Sequence, residues 1–226
     1  MRLPLLCAPV AAALAASSLH ARTAEDEQVW INATVMQTTA SGFAWFAEAQ
    51  PRLGEGAGRL QQLLVRPAVG WRINDAVTAY LGYAHVALPR RGEKDRNEDR
   101  LFVQLSWTIG DVGRGTLSSR TRLERRDLST GRETGWRVRQ MMRYVHPLGD
   151  PKRVRALVSA EPFVAFNDTD WGARSGFDQL RSFAGVEIPL EGKTTVELGY
   201  LNQFVNDAGG DRRVNHIAAA SLFVRL

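Results

Sequence analysis

Through most of this chain every second residue is apolar, and a period of two restricts those segments to β-strands with one oily and one polar face. From Phe43 to Leu53 the odd positions carry Phe43, Trp45, Ala47, Ala49, Pro51 and Leu53, whereas the even ones end in Glu48, Gln50 and Arg52. The next segment sets Leu63, Val65, Pro67, Val69, Trp71 and Ile73 against Arg66 and Arg72. Leu101, Val103, Leu105, Trp107 and Ile109 then alternate with Gln104, Ser106 and Thr108. The same rule holds for Leu180, Ala184, Val186 and Ile188, and for Val196, Leu198, Tyr200 and Phe204.

The pattern predicts strands at 28–38, 43–53, 60–73, 76–86, 100–109, 117–127, 136–146, 154–166, 177–188, 194–204 and 215–226. Each is near the roughly 9–11 residues with which a tilted strand crosses a bilayer. Short connections such as Asn74-Asp75 and Leu190-Glu191-Gly192 alternate with longer polar ones such as Leu88–Asp99 and Asn167–Gly176. That alternation suits a barrel with turns at one end and loops at the other. The expected fold is all-β, a transmembrane antiparallel up-and-down barrel of ten to twelve strands. Eleven candidates sit awkwardly with the even number usual in bacterial barrels. A soluble β-sandwich also alternates, but its strands average only about five or six residues.

The first residues read differently. Met1-Arg2, the apolar stretch Leu3–Ala16 and the small residues Ala15–Ser18 have the charge, core and cleavage region of a secretory signal. The apolar stretch is short of the roughly 20 residues a spanning helix needs. Residues 1–21 are therefore expected to be a cleaved leader, with 22–226 a single outer-membrane barrel domain. Cys7 is the one cysteine, so such a mature chain has neither disulfides nor thiolate metal sites. The mean hydropathy of −0.24 looks soluble only because lumen-facing polar residues dilute the lipid-facing ones. Alternating Ala218, Ala220, Leu222, Val224 and Leu226 form a terminal strand of the kind barrel-assembly machinery recognises. Expected partners are thus outer-membrane lipid and that machinery.

Charge is concentrated on the faces assigned inward. Arg120, Arg122, Glu124 and Arg126 share one strand face, Arg137, Arg139 and Arg143 follow, and Glu48, Arg52, Arg66, Glu161, Arg181, Glu187 and Glu197 point the same way. The ladder is either a packed network of Arg–carboxylate pairs filling a narrow barrel or a water-filled path favouring small anionic solutes. Ionic groups at this density tend to pair. Trp45, Trp71, Trp107 and Tyr200 are expected to meet lipid.

Signals for an enzyme are weak. His85, His146 and His216 form no metal pair and lie at no motif spacing from a serine, although His216 with Ser221 or Ser182 stays open. Gly54-Glu55-Gly56-Ala57-Gly58 has no helix after it to bind phosphate and reads as a flexible loop. Arg90-Arg91 sits in a stretch of mixed sign, Pro89–Asp95, and reads as a solvated loop rather than a nucleic-acid patch. No catalytic, metal or cofactor site is expected.

Trp30, Glu48-Ala49-Gln50-Pro51-Arg52, Arg66-Pro67, Gly82-Tyr83, Arg120–Arg126, Glu161-Pro162-Phe163, Gln179-Leu180-Arg181 and Gly199-Tyr200 together resemble domain of unknown function 2490, a family of bacterial outer-membrane barrels. The resemblance spans nearly all of 22–226 and implies a barrel in the outer membrane with no established activity. A looser, purely architectural likeness is to small monomeric porins with arginine-lined lumens. The expected function is a small-solute channel of mild anion preference. A non-conducting structural or interaction barrel with a plugged lumen, and thirdly a lipid-modifying barrel hydrolase, stand as alternatives.

Overall fold

The computed structural model describes residues 23–150, 153–207 and 211–226. The expected leader lies outside the described residues. Eleven strands close into one barrel: β1(Thr23–Thr38), β2(Phe43–Gly54), β3(Arg59–Arg72), β4(Val77–Leu88), β5(Arg96–Val112), β6(Gly115–Leu128), β7(Thr134–Pro147), β8(Arg155–Ala165), β9(Gly176–Pro189), β10(Thr195–Asn206) and β11(Arg212–Arg225). The all-β barrel and its strand number match the alternation in the sequence.

The closing seam departs from the expected antiparallel pairing. Successive neighbours from β1 to β11 pair antiparallel, but β1 pairs with β11 in parallel, from Thr23 against Arg212 to Met36 against Arg225. The cause is parity: ten reversals of direction return the eleventh strand to the direction of the first. The first candidate strand is therefore a full wall strand, and no strand needs to be misread to close the count. With Cys7 replaced, the pair Ala33→Cys and Leu222→Cys, which face each other across this seam, should form a disulfide under mild oxidation. Absence of that cross-link in the folded barrel would contradict the parallel closure.

The arrangement sorts the connections into two ends. Segments 39–42, 73–76, 113–114 and 190–194, with residues 148–150 and 153–154, gather at the end where β1 and β11 finish. Segments 55–58, 89–95, 129–133 and 166–175, with residues 207 and 211, gather at the other. The glycine run is a hydrogen-bonded turn rather than a free loop: Asp26 accepts the Glu55 and Gly56 N–H groups at 3.3 Å each. Glu55 and Ala57 there adopt left-handed φ of 53° and 63°.

At the same end the 166–175 loop is tied to the 129–133 segment. Asp170 accepts the Arg132 N–H at 2.9 Å, the Trp171 indole donates to the Glu133 carbonyl at 2.7 Å, and Asn167 accepts the Trp136 N–H at 2.9 Å. These bonds lay the Trp171 ring under the Arg126 guanidinium, 5.0 Å from its centroid. A Cβ added at Gly131 would fall 2.2 Å from that ring, so only glycine permits so close an approach.

Burial runs opposite to that of a water-soluble protein. The outer face exposes Val65, Val69, Trp71, Leu81, Leu101, Val103, Leu105, Val158, Leu198 and Tyr200, whereas Arg52, Arg66, Glu98, Arg122, Glu124, Arg137, Arg139 and Glu161 are buried inside. Trp71 and Tyr200 are thus exposed on the outer face, and Trp45 is half-buried. Trp107 shares the register of Leu105 but is half-buried and also borders the internal cavity, beside a bulge between Thr108 and Gly110.

Candidate functional site: the lumen

Eleven strands enclose more space than an eight-stranded barrel can fill with aliphatic side chains and less than the wide aqueous pore of a porin. The inner face meets that volume with long ionic side chains around a few rings. All twelve residues expected to line the lumen, Glu48, Arg52, Arg66, Arg120, Arg122, Glu124, Arg126, Arg137, Arg139, Glu161, Arg181 and Glu197, are buried or half-buried on it.

Their centre is Glu124, 1% exposed. Its carboxylate receives Arg137 at 2.6 Å and Arg139 at 2.9 Å, with Arg122 at 3.7 Å. The register explains the convergence, because Glu124 is paired with Arg137, Arg122 with Arg139, and Arg139 with Phe163 on the next strand. Arg139 also reaches Glu161 at 2.9 Å, and Glu161 receives Arg120 at 2.9 Å. Arg137 extends the chain to Asp178 at 2.9 Å. Three carboxylates and four arginines thus form one continuous layer across β6, β7, β8 and β9.

Rings fill the space that charges cannot. Phe163, fully buried, has the guanidinium carbons of Arg139, Arg181 and Arg137 at 4.4, 4.8 and 4.9 Å from its centroid. Phe102 lies 4.5 Å from Arg122, and its ring stacks on Phe46 at 6.4 Å. Trp30 is flanked by Arg52 at 3.8 Å and Arg181 at 4.9 Å. Such contacts contribute about 2 kcal/mol or more when desolvated. They also fix the guanidinium planes.

Above this layer, toward the 166–175 loop, Glu98 joins Arg100 at 2.8 Å and Arg126 at 2.5 Å. Below it, Glu48 holds Arg66 at 2.9 Å, and Arg143 bridges Glu187 and Glu197 at 2.6 Å each. Sequence reasoning missed Glu98 because it began that strand at residue 100, whereas β5 starts at Arg96, and it left out Arg100 as the first residue of its strand. The signal was there in parity: Glu98, Arg100 and Phe102 share the inward face of Gln104, which accepts the Arg122 Nε–H at 2.8 Å. Trp30, Phe102 and Phe163 were missed as lumen residues because an inward aromatic is indistinguishable by type from an outward one.

Between the central layer and the short-turn end the lumen opens into a cavity of about 640 Å³. Its walls run from Trp30, Arg52 and Arg181 down to Asp75, Ala76 and Arg225. No residue of the 89–95, 129–133 or 166–175 segments lines it. Arg52, Arg66, Arg120, Arg139, Glu161 and Arg181 line the end of this cavity that faces the ionic layer.

The histidine arrangement falls outside the lumen. His216 and Tyr200 meet on the outer face at 2.6 Å, with Glu25 3.9 Å from the imidazole. Ser221 lines the cavity on the opposite face, and Ser182 lies two strands away, paired to Asn202, which in turn pairs with His216. His85 bonds Asp99 at 2.8 Å near the 89–95 segment.

The model of a family described as a protein of unknown function (DUF2490) matches residues 27–214. Over 206 residues the chain is 46% identical to an uncharacterized protein of Methylorubrum extorquens, covering 91% of this chain and 90% of that one. No solved structure matches. The family match runs from β1 into β11 and takes in the whole ionic layer, so the chain belongs to the DUF2490 family.

Proposed function

We propose that the chain is an outer-membrane barrel whose lumen is closed midway by its ion-paired layer, so that it acts as a non-conducting wall and a one-ended cup rather than a through-channel. The observation that carries the membrane part is the inverted burial, with Val69 at 53%, Trp71 at 53% and Leu81 at 59% exposed while Arg122 and Glu124 are each 1% exposed. A belt of that size would be an aggregation surface in water but is at home in lipid. Phe43 and Trp71 pair at 6.3 Å near the short-turn end of the belt, and Phe177 and Phe204 stack at 6.1 Å near the other, where interfacial aromatics belong. The leader expected at 1–21 supplies the export this location requires.

Closure rests on the partners within the layer. A guanidinium already held by two carboxylates and a ring has no freedom to coordinate a passing ion. The reading of a channel with mild anion preference draws on the cavity below the floor, whose lining carries seven arginines against four acidic residues. Fractionation tests the location: the protein should sediment with outer membranes and require detergent for release. A single-tryptophan variant retaining Trp71 should be quenched by brominated lipid. Recovery as a detergent-free soluble monomer would contradict the proposal.

A further inference from the structure

Most arginines of the lumen are committed to carboxylates, but two at the cup floor are not. The Arg181 side chain makes no hydrogen bond or ion pair among the described residues, and its Nε is buried without a partner. It is held in place by ring contacts with Trp30 and Phe163 alone. The side chain of Arg52, a residue 8% exposed, bonds only the side-chain oxygens of Gln50 and Gln62, at 2.5–3.0 Å, and its guanidinium lies over the Trp30 ring, 3.8 Å from the centroid. Both line the cavity, as do Arg66 and Arg120, whose Nε atoms are likewise buried and unpartnered.

Guanidinium N–H groups that no carboxylate has taken keep hydrogen-bonding capacity for an acceptor entering the cavity. Guanidinium groups fixed by aromatic contacts are already oriented for bidentate bonds to an oxyanion. The nearest acidic group, Glu161, is occupied by Arg139 and Arg120. The volume, about 640 Å³, falls within the range of small-ligand pockets.

From this we infer that the cup floor is a binding site for a small solute carrying a phosphate or carboxylate group, held by Arg181 and Arg52 beside Trp30 and entering from the short-turn end. The inference concerns the cup alone. It is testable in detergent micelles, where its failure leaves the membrane reading untouched.

The test is calorimetric titration of the detergent-purified protein with inorganic phosphate, citrate and glucose 6-phosphate, with glucose as the neutral control. At least one anionic probe should bind saturably, with Kd rising as sodium chloride is added, and glucose should not bind. Arg181→Gln and Arg52→Gln should each raise Kd at least tenfold. Arg181→Lys should retain part of the affinity, and Arg90→Gln in the exposed 89–95 segment should change nothing. Arg181 holds no carboxylate, so its Gln variant leaves no ion pair broken, and an unchanged heat-modifiable gel band verifies its fold. No saturable binding of any anion, equal binding of glucose, or unchanged Kd in both Gln variants would each overturn the inference.

Discussion

Replacing Glu124 with Gln should be among the most destabilising single changes in this protein, lowering its stability by about 3–5 kcal/mol. The side chain is 1% exposed, and its loss as an anion leaves Arg137 and Arg139 facing each other with Arg122 beside them. Little water reaches these guanidinium groups, since the side chains of Arg137, Arg139 and Arg122 are only 5%, 5% and 2% exposed. The readout is the temperature at which the heat-modifiable gel band shifts, together with urea unfolding in detergent. The pair should also be strongly non-additive. Glu124→Gln combined with Arg139→Gln should lose less than the sum of the single changes, because the double change removes a cation along with its anion. By contrast Glu93→Gln breaks an exposed contact with Arg90, 64% and 42% exposed, and should stay within about 0.5 kcal/mol. Equal effects at Glu93 and Glu124 would refute the claim that the ionic layer is structural.

The second large effect is expected at Phe163. Its ring is fully buried and touched by three guanidinium groups. Phe163→Ala removes that ring and opens a void among charges, which should cost about 3–5 kcal/mol by the usual measure of a large-to-small core change. Phe163→Leu should recover much of the volume but none of the cation–π attraction. A barrel whose interior is held by aliphatic packing alone would treat Leu as a near-neutral substitute. A deficit of about 1–2 kcal/mol in the Leu variant marks the ring–guanidinium contribution.

Period two made the fold legible, because in a barrel wall the same alternation that defines a strand also assigns each residue to the outer face or the lumen. Arg120, Arg122, Glu124 and Arg126 could be placed inward from parity alone, and the register then brings Glu124 between Arg137 and Arg139. What parity cannot supply is which carboxylate each arginine takes, since that depends on pairing between β6, β7 and β8 across more than thirty residues of chain, as in Arg120 with Glu161. It is also silent on closure: nothing in Val29–Thr38 announces a parallel partner, yet that partner fixes both chain ends of the barrel wall at their heights. The aromatic members of the lumen stayed hidden for a further reason. Trp30 and Phe163 follow the alternation but break its usual meaning, being apolar on the polar side, and their role is visible only once Arg52 and Arg181 are seen against them.

The central claim is that the ion-paired layer closes the lumen, and planar-bilayer recording of the purified protein tests it most directly. The layered arrangement predicts no stable conductance steps from the wild-type barrel, and steps in a variant such as Glu124→Gly with Phe163→Gly if it remains folded by gel shift. Reproducible ohmic steps from the wild-type protein, with an anion preference abolished by Arg120→Gln and an unchanged gel-shift temperature, would contradict it.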